Sequence, residues 1–104
     1  MRTKKAVKFK GPKRNSAWKV GAAYLIRTVT HYWLGKCAYL DDKELVLTGA
    51  GWVASTGRYN ETVRDGLKPR GNEEFEPVPG EVIIGRGSIV DAVEWSHEIP
   101  TTTF

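Results

Sequence analysis

Acid is absent from the first twenty residues of this 104-residue chain, which carry eight Lys or Arg instead. Cysteine is almost absent too: Cys37 stands alone and cannot form an intrachain disulfide. Its place in an alternating strand pattern reads as a buried structural thiol rather than a nucleophile, in a protein made under reducing conditions. No apolar run approaches the roughly 18 residues that a membrane-spanning helix needs, so no membrane partner is expected. The basic start has neither an apolar core nor a cleavage site, and no secretion peptide is expected. The two histidines, His31 and His97, have no third partner at metal-ligand spacing. There is no Gly-x-Ser-x-Gly elbow and no phosphate loop. Enzymatic activity, a metal and a cofactor are therefore not expected.

What is present is a chain of one-domain length with four tryptophans and 40% hydrophobic residues. Its charge is split. Arg2, Lys4, Lys5, Lys8, Lys10, Lys13, Arg14 and Lys19 face no acid within residues 1–20, whereas residues 21–104 hold eight bases and twelve acids. This reads as a basic N-terminal arm over 1–16, with Trp18 as its anchor, ahead of one domain over 17–104. Gly11 and Pro12, with little apolar periodicity, point to an extended segment ordered by a partner.

Along the body, AAYLIRTVT (22–30) is rich in β-branched and aromatic residues and predicts a strand, with Leu25, Arg27 and Val29 on one face. His31-Tyr32 predicts a turn and Trp33–Leu40 a second strand. After an Asp41–Lys43 turn, a third strand begins at Glu44 and bends where Gly49 and Gly51 flank Ala50. Thr56 is a candidate N-cap for a short helix ending at Gly66. Residues 67–80, with Glu73, Glu74, Glu76 and three prolines, predict an exposed acidic loop. Strands resume over Glu81–Ile84 and Ile89–Trp95 around an Arg86–Ser88 turn. The tail HEIPTTTF is free to add to a neighbour's edge or to lie on the surface. Trp33, Trp52 and Trp95 read as core or inter-subunit packing in preference to base-stacking platforms.

Gly35, Asp41 and Leu45–Leu47, together with Ile83-Ile84, Arg86-Gly87 and Ile89-Val90, resemble the two sequence motifs of the Sm-like (LSm/Hfq-type) barrel family. The insertion at 55–80 falls where that family's loop varies. The resemblance covers about half the chain. It implies an all-β fold: a small five-stranded antiparallel barrel with a short helix in the variable loop, closing into a ring through strand edges. In Sm proteins that bind uridine-rich RNA, an Asp and an Asn in the first turn and the Arg of the second read the base. Here both turns are one residue shorter and Glu44 stands in place of the Asn. A carboxylate cannot donate amide hydrogen bonds and it repels phosphate. Arg86 then reads as a structural or inter-subunit partner.

The stretches GWVASTGRYNETVRDG and PVPGEVIIGRGSIVDAVEW are also similar to small proteins of tailed phages and cyanophages. That similarity implies a virion structural protein, a capsid decoration or cement protein forming a ring of five or six copies. Such a protein would be assembled in the host cytoplasm and attached to the major capsid protein or another virion protein through the basic arm. The alternative is an Sm-like ring that binds RNA without reading its sequence.

Overall fold

A computed structural model describes residues 16–104. It consists of strands β1 (Ala23–Thr28), β2 (Tyr32–Leu40) and β3 (Glu44–Ser55), helix α1 (Tyr59–Asp65), then β4 (Glu74–Pro77), β5 (Val82–Gly85) and β6 (Ile89–Trp95). A single 3-10 turn, Arg86–Ser88, joins β5 to β6. All strands belong to one antiparallel sheet ordered β4-β3-β2-β1-β6, with β5 also paired to β3. The sheet is therefore open and six-stranded, not a five-stranded barrel closed by pairing. The extra strand arises because β3 is long enough for two partners: Gly51–Ser55 pairs with β4 and Glu44–Leu47 with β5. Pro77 ends β4 and Pro79 lies between those partners, and proline cannot donate to a ladder.

Alternation along the strands buries two faces. Tyr24, Ile26, Cys37, Leu45, Leu47 and Ile84 fill the concave side, where β5 folds over the bent sheet. Leu25, Leu34, Val53, Leu67, Phe75 and Trp95 form a second cluster on the other side, covered by Val63 of α1 and by Ile99 and Phe104 of the tail. Tight packing at the bend explains two glycines. A Cβ on Gly35 would lie 2.6 Å from Ala50 Cβ, and one on Gly51 would run into the Phe75 ring.

Two local expectations are corrected. Thr56 does not cap α1: Gly57, at φ +62°, turns the chain, and Arg58 occupies the cap position without a side-chain bond. Thr56 instead offers its carbonyl to Thr62 Oγ1 at 2.6 Å. Residues 67–80 are not simply an exposed acidic loop, because Leu67 and Phe75 are buried and β4 lies within it. Glu73 is buried as well, accepting bonds from the main-chain N–H groups of Arg70 and Gly71 and from the Arg70 guanidinium. With its own N–H, these hold its carboxyl below the usual carboxylate range against the opposing cost of burial. Of the two courses open to the tail it takes the second, lying on the chain's own surface: Phe104 and Phe75 each donate a main-chain hydrogen bond to the other, at 3.0 and 2.8 Å, which covers the outer side of β4.

Candidate functional site

The residues of the two Sm-like motifs meet at one end of the sheet. Asp41 closes the β2–β3 turn by accepting, through Oδ1, the N–H groups of Lys43 and Glu44, both at 2.8 Å. Its Oδ2 accepts the Tyr39 hydroxyl at 2.8 Å. The two main-chain donors, and then Tyr39, hold the Asp41 carboxyl below the usual range, while that bond pushes the Tyr39 phenol up. Arg86 reaches across from the β5–β6 turn. Its Nη1 donates to the Asp41 carbonyl at 2.6 Å and its main-chain N–H to the Lys43 carbonyl at 2.9 Å. Asp41, Glu44 and Arg86 are thus brought together, with Gly87 exposed beside them in the 3-10 turn. Gly35 lies apart, at the bend.

The cluster's chemistry is inward. Both Asp41 oxygens are engaged within the turn, and Arg86 grips a main-chain carbonyl, so the arrangement joins two turns. Cys37 is buried, and burial pushes its thiol up, away from the reactive thiolate. Among the described residues no group of three or more His, Cys, Asp or Glu is placed to hold a metal ion. No helix among them is long and apolar enough to cross a membrane.

Among the described residues two strand edges are open. The path through the sheet ends at β6 on one side, and β5 has no described partner besides β3. Each edge strand shows solvent a branched apolar side chain: Ile83 is 64% exposed and Val90 is 54% exposed. Val29, 76% exposed at the β1–β2 turn, donates its N–H to the Ser88 carbonyl and extends the same apolar ridge. Beside the ridge lie two clefts of about 410 and 320 Å³, both bordered by His31.

The aromatic part of this end was missed by the sequence reading. Trp33 and Trp52 face each other across the β2–β3 ladder, both half-buried. His31 stacks on Trp33 with ring centres 5.5 Å apart and meets Trp52 edge-on at 5.5 Å. A signal was available: Trp33 lies eight residues before Asp41 and Trp52 eight after Glu44, so a hairpin turning on Asp41–Glu44 pairs them. Trp95 is core, as expected. Trp18 packs edge-on against Tyr24, centroids 4.8 Å apart, and Lys19 beside it pairs with Glu94 at 3.3 Å. The remaining arm positions, Arg2, Lys4, Lys5, Lys8, Lys10, Lys13 and Arg14, lie outside the described residues.

Set against protein-family models, curated proteins and solved structures, the chain matches none of them.

Proposed function

We propose that this chain is a non-enzymatic assembly protein of a tailed-phage virion. In this reading it is an Sm-like module that joins copies of itself edge to edge into a ring of five or six. The ring decorates the capsid and attaches to capsid protein through the basic segment at 1–16. The observation that carries the reading is the pair of edges, β5 and β6, that are unpartnered among the described residues, each with an exposed branched residue. Open edges with apolar side chains are a pairing liability that soluble proteins cover or use. Here β4 is covered by the chain's own Phe104, whereas no described segment covers β5 or β6. Two different edges on one subunit make a head-to-tail contact, and such contacts close into rings when the rotation allows.

The virion setting rests on the resemblance of 51–66 and 77–95 to phage proteins and on the charge split. A basic segment of seven cations suits an acidic partner surface, where many weak ion pairs act together. The RNA reading is the weaker one, because the Asp41 carboxylate is occupied within its own turn, Arg86 is bound to the Asp41 carbonyl, and Glu44 cannot supply an amide donor. Native mass spectrometry at micromolar concentration tests the proposal. A single closed oligomer of five or six chains is expected, and monomer alone overturns the ring. Co-sedimentation with capsids tests attachment: full chain pellets with the particle, and its failure to do so defeats the virion reading.

A further inference from the structure

The face that carries Trp33 and Trp52 is also acidic. Glu76 stands opposite Trp52 in the β3–β4 register, and Glu74, two residues along, shares its face. Both carboxylates are exposed, and neither belongs to an ion pair among the described residues. On the same face of β1 Tyr24 and Ile26 are buried core residues, and His31 packs against both indoles; no Lys or Arg stands at these ladder positions. Arg27 lies on the opposite face, where Asp91 holds it. Half-exposed indoles beside unpaired carboxylates attract a cation twice, through the ring quadrupole and through charge. Lysine and arginine side chains are the fitting ligands.

The chain supplies such a ligand itself. Residues 1–14 hold seven cations and no acid. The described chain starts at Ser16 and is pinned at Trp18 on Tyr24, at the beginning of β1. The six residues of β1 carry it about 20 Å to the end where His31 sits. Fifteen residues can span about 50 Å when extended, which is ample for a return along the sheet. A segment tethered at that distance acts at millimolar-scale effective concentration, well above what a free second copy reaches in solution.

We propose that the face formed by Trp33, Trp52, Glu74 and Glu76 is an intramolecular docking site for this chain's own basic segment, residues 1–14. Resting on the attachment role assigned above, the contact holds the segment on the body until a more acidic partner surface competes it away. Attachment to the particle is then an exchange between two acidic surfaces.

Zero-length carbodiimide coupling on the full chain tests this. The reagent activates a carboxyl, a nearby lysine amine displaces it to form an amide, and the carboxyl oxygen leaves in the urea. Links from Lys4, Lys5, Lys8, Lys10 or Lys13 to Glu74 or Glu76 are expected. In an equal mixture of 15N-labelled and unlabelled protein they should join peptides of one isotope only. E74Q/E76Q should reduce the total yield of arm links at least fivefold, and so should molar salt, where the screening length is about 3 Å. Links of undiminished yield to other carboxylates in E74Q/E76Q, links only between copies, or no links overturn the proposal. A second measurement follows the indole N–H resonances. Changing the five arm lysines to Gln in the full chain should shift those of Trp33 and Trp52 and leave that of buried Trp95 in place; unmoved Trp33 and Trp52 signals also overturn it. Loss of the ring alone leaves these intrachain links intact, which separates failure of this proposal from failure of the assembly reading.

Discussion

Arg86 Nη1 donates a 2.6 Å hydrogen bond to the main-chain carbonyl of Asp41, a contact that spans 45 residues of sequence. It ties the turn between β2 and β3 to the turn between β5 and β6, reinforcing a junction that the β3–β5 ladder already makes at Glu44 and Gly85 and that the Arg86 N–H bond to the Lys43 carbonyl extends. The two stretches that carry the Sm-like resemblance are thus joined by a side chain from the second acting on the backbone of the first, in addition to the β3–β5 ladder.

Replacing Arg86 by Ala should cost about 1.5–3 kcal/mol, the range for a hydrogen bond from a charged donor. Urea unfolding should show a lower midpoint with an unchanged slope, since the sheet itself stays whole. R86K keeps the charge without the planar fork, and should recover less than half of the loss. A wild-type midpoint in R86A would show that Arg86 faces a partner instead.

The same turn sets a pH dependence. The Asp41 carboxyl is held below its usual range by the Lys43 and Glu44 N–H groups, so the native state favours its charged form. Its contribution is present above the ordinary carboxylate range and is lost as pH falls through the lowered value in the folded chain. Tyr39 runs the other way: its phenol is raised by the bond to Asp41, so its contribution is complete below the ordinary tyrosine range and fades as pH rises through the raised value. Midpoints measured from pH 2 to 6 should fall towards acid more steeply in the wild type than in D41N. Equal slopes would remove Asp41 from the account.

Gly51 should not tolerate a side chain. A Cβ there would strike the Phe75 ring and come within 2.8 Å of the Glu76 carbonyl. G51A is expected to destabilise by about 1–3 kcal/mol through overpacking. F75L removes the ring edge and should make the second substitution less harmful than the sum of the two singles. Strict additivity would place the strain elsewhere.

Strand positions were readable because alternation survives in most of the sheet: Ile89–Trp95 is a strand as the sequence predicts, and the Asp41–Lys43 turn is in place. The β2–β3 register was readable for a less obvious reason. One extra residue on β3, between Thr48 and Gly51, is balanced by one extra on β2, Ala38, so the count outward from the turn is restored at Trp33 and Trp52. Residues 67–80 misled because three glutamates and three prolines look like solvent-facing loop, and local composition does not reveal Phe75. That residue is buried by Gly51 and by Phe104, partners 24 and 29 positions away. The tail was open to two readings for the same cause, since its backbone partner, Phe75, lies on β4. His31 was passed over because a turn residue has no face until the hairpin register places it beside two indoles.

The edge contact makes the sharpest demand. Ile83 and Val90 are exposed in the single chain, so charging either should leave the fold's stability within about 0.5 kcal/mol. A lysine on a strand edge blocks pairing with another edge. I83K should therefore disable the β5 edge and keep β6, while V90K disables β6 and keeps β5. In a head-to-tail ring each variant alone should be monomeric, because every joint needs one edge of each kind. An equal mixture of the two should give a one-to-one heterodimer, since the intact β6 of I83K can still meet the intact β5 of V90K, and nothing larger, because the outer edges are both blocked. Light scattering and native mass spectrometry of the singles and the mixture read this directly. Full rings from either single variant would move the interface away from these strands. A mixture that stays monomeric while the wild type assembles would show that β5 and β6 do not pair with each other.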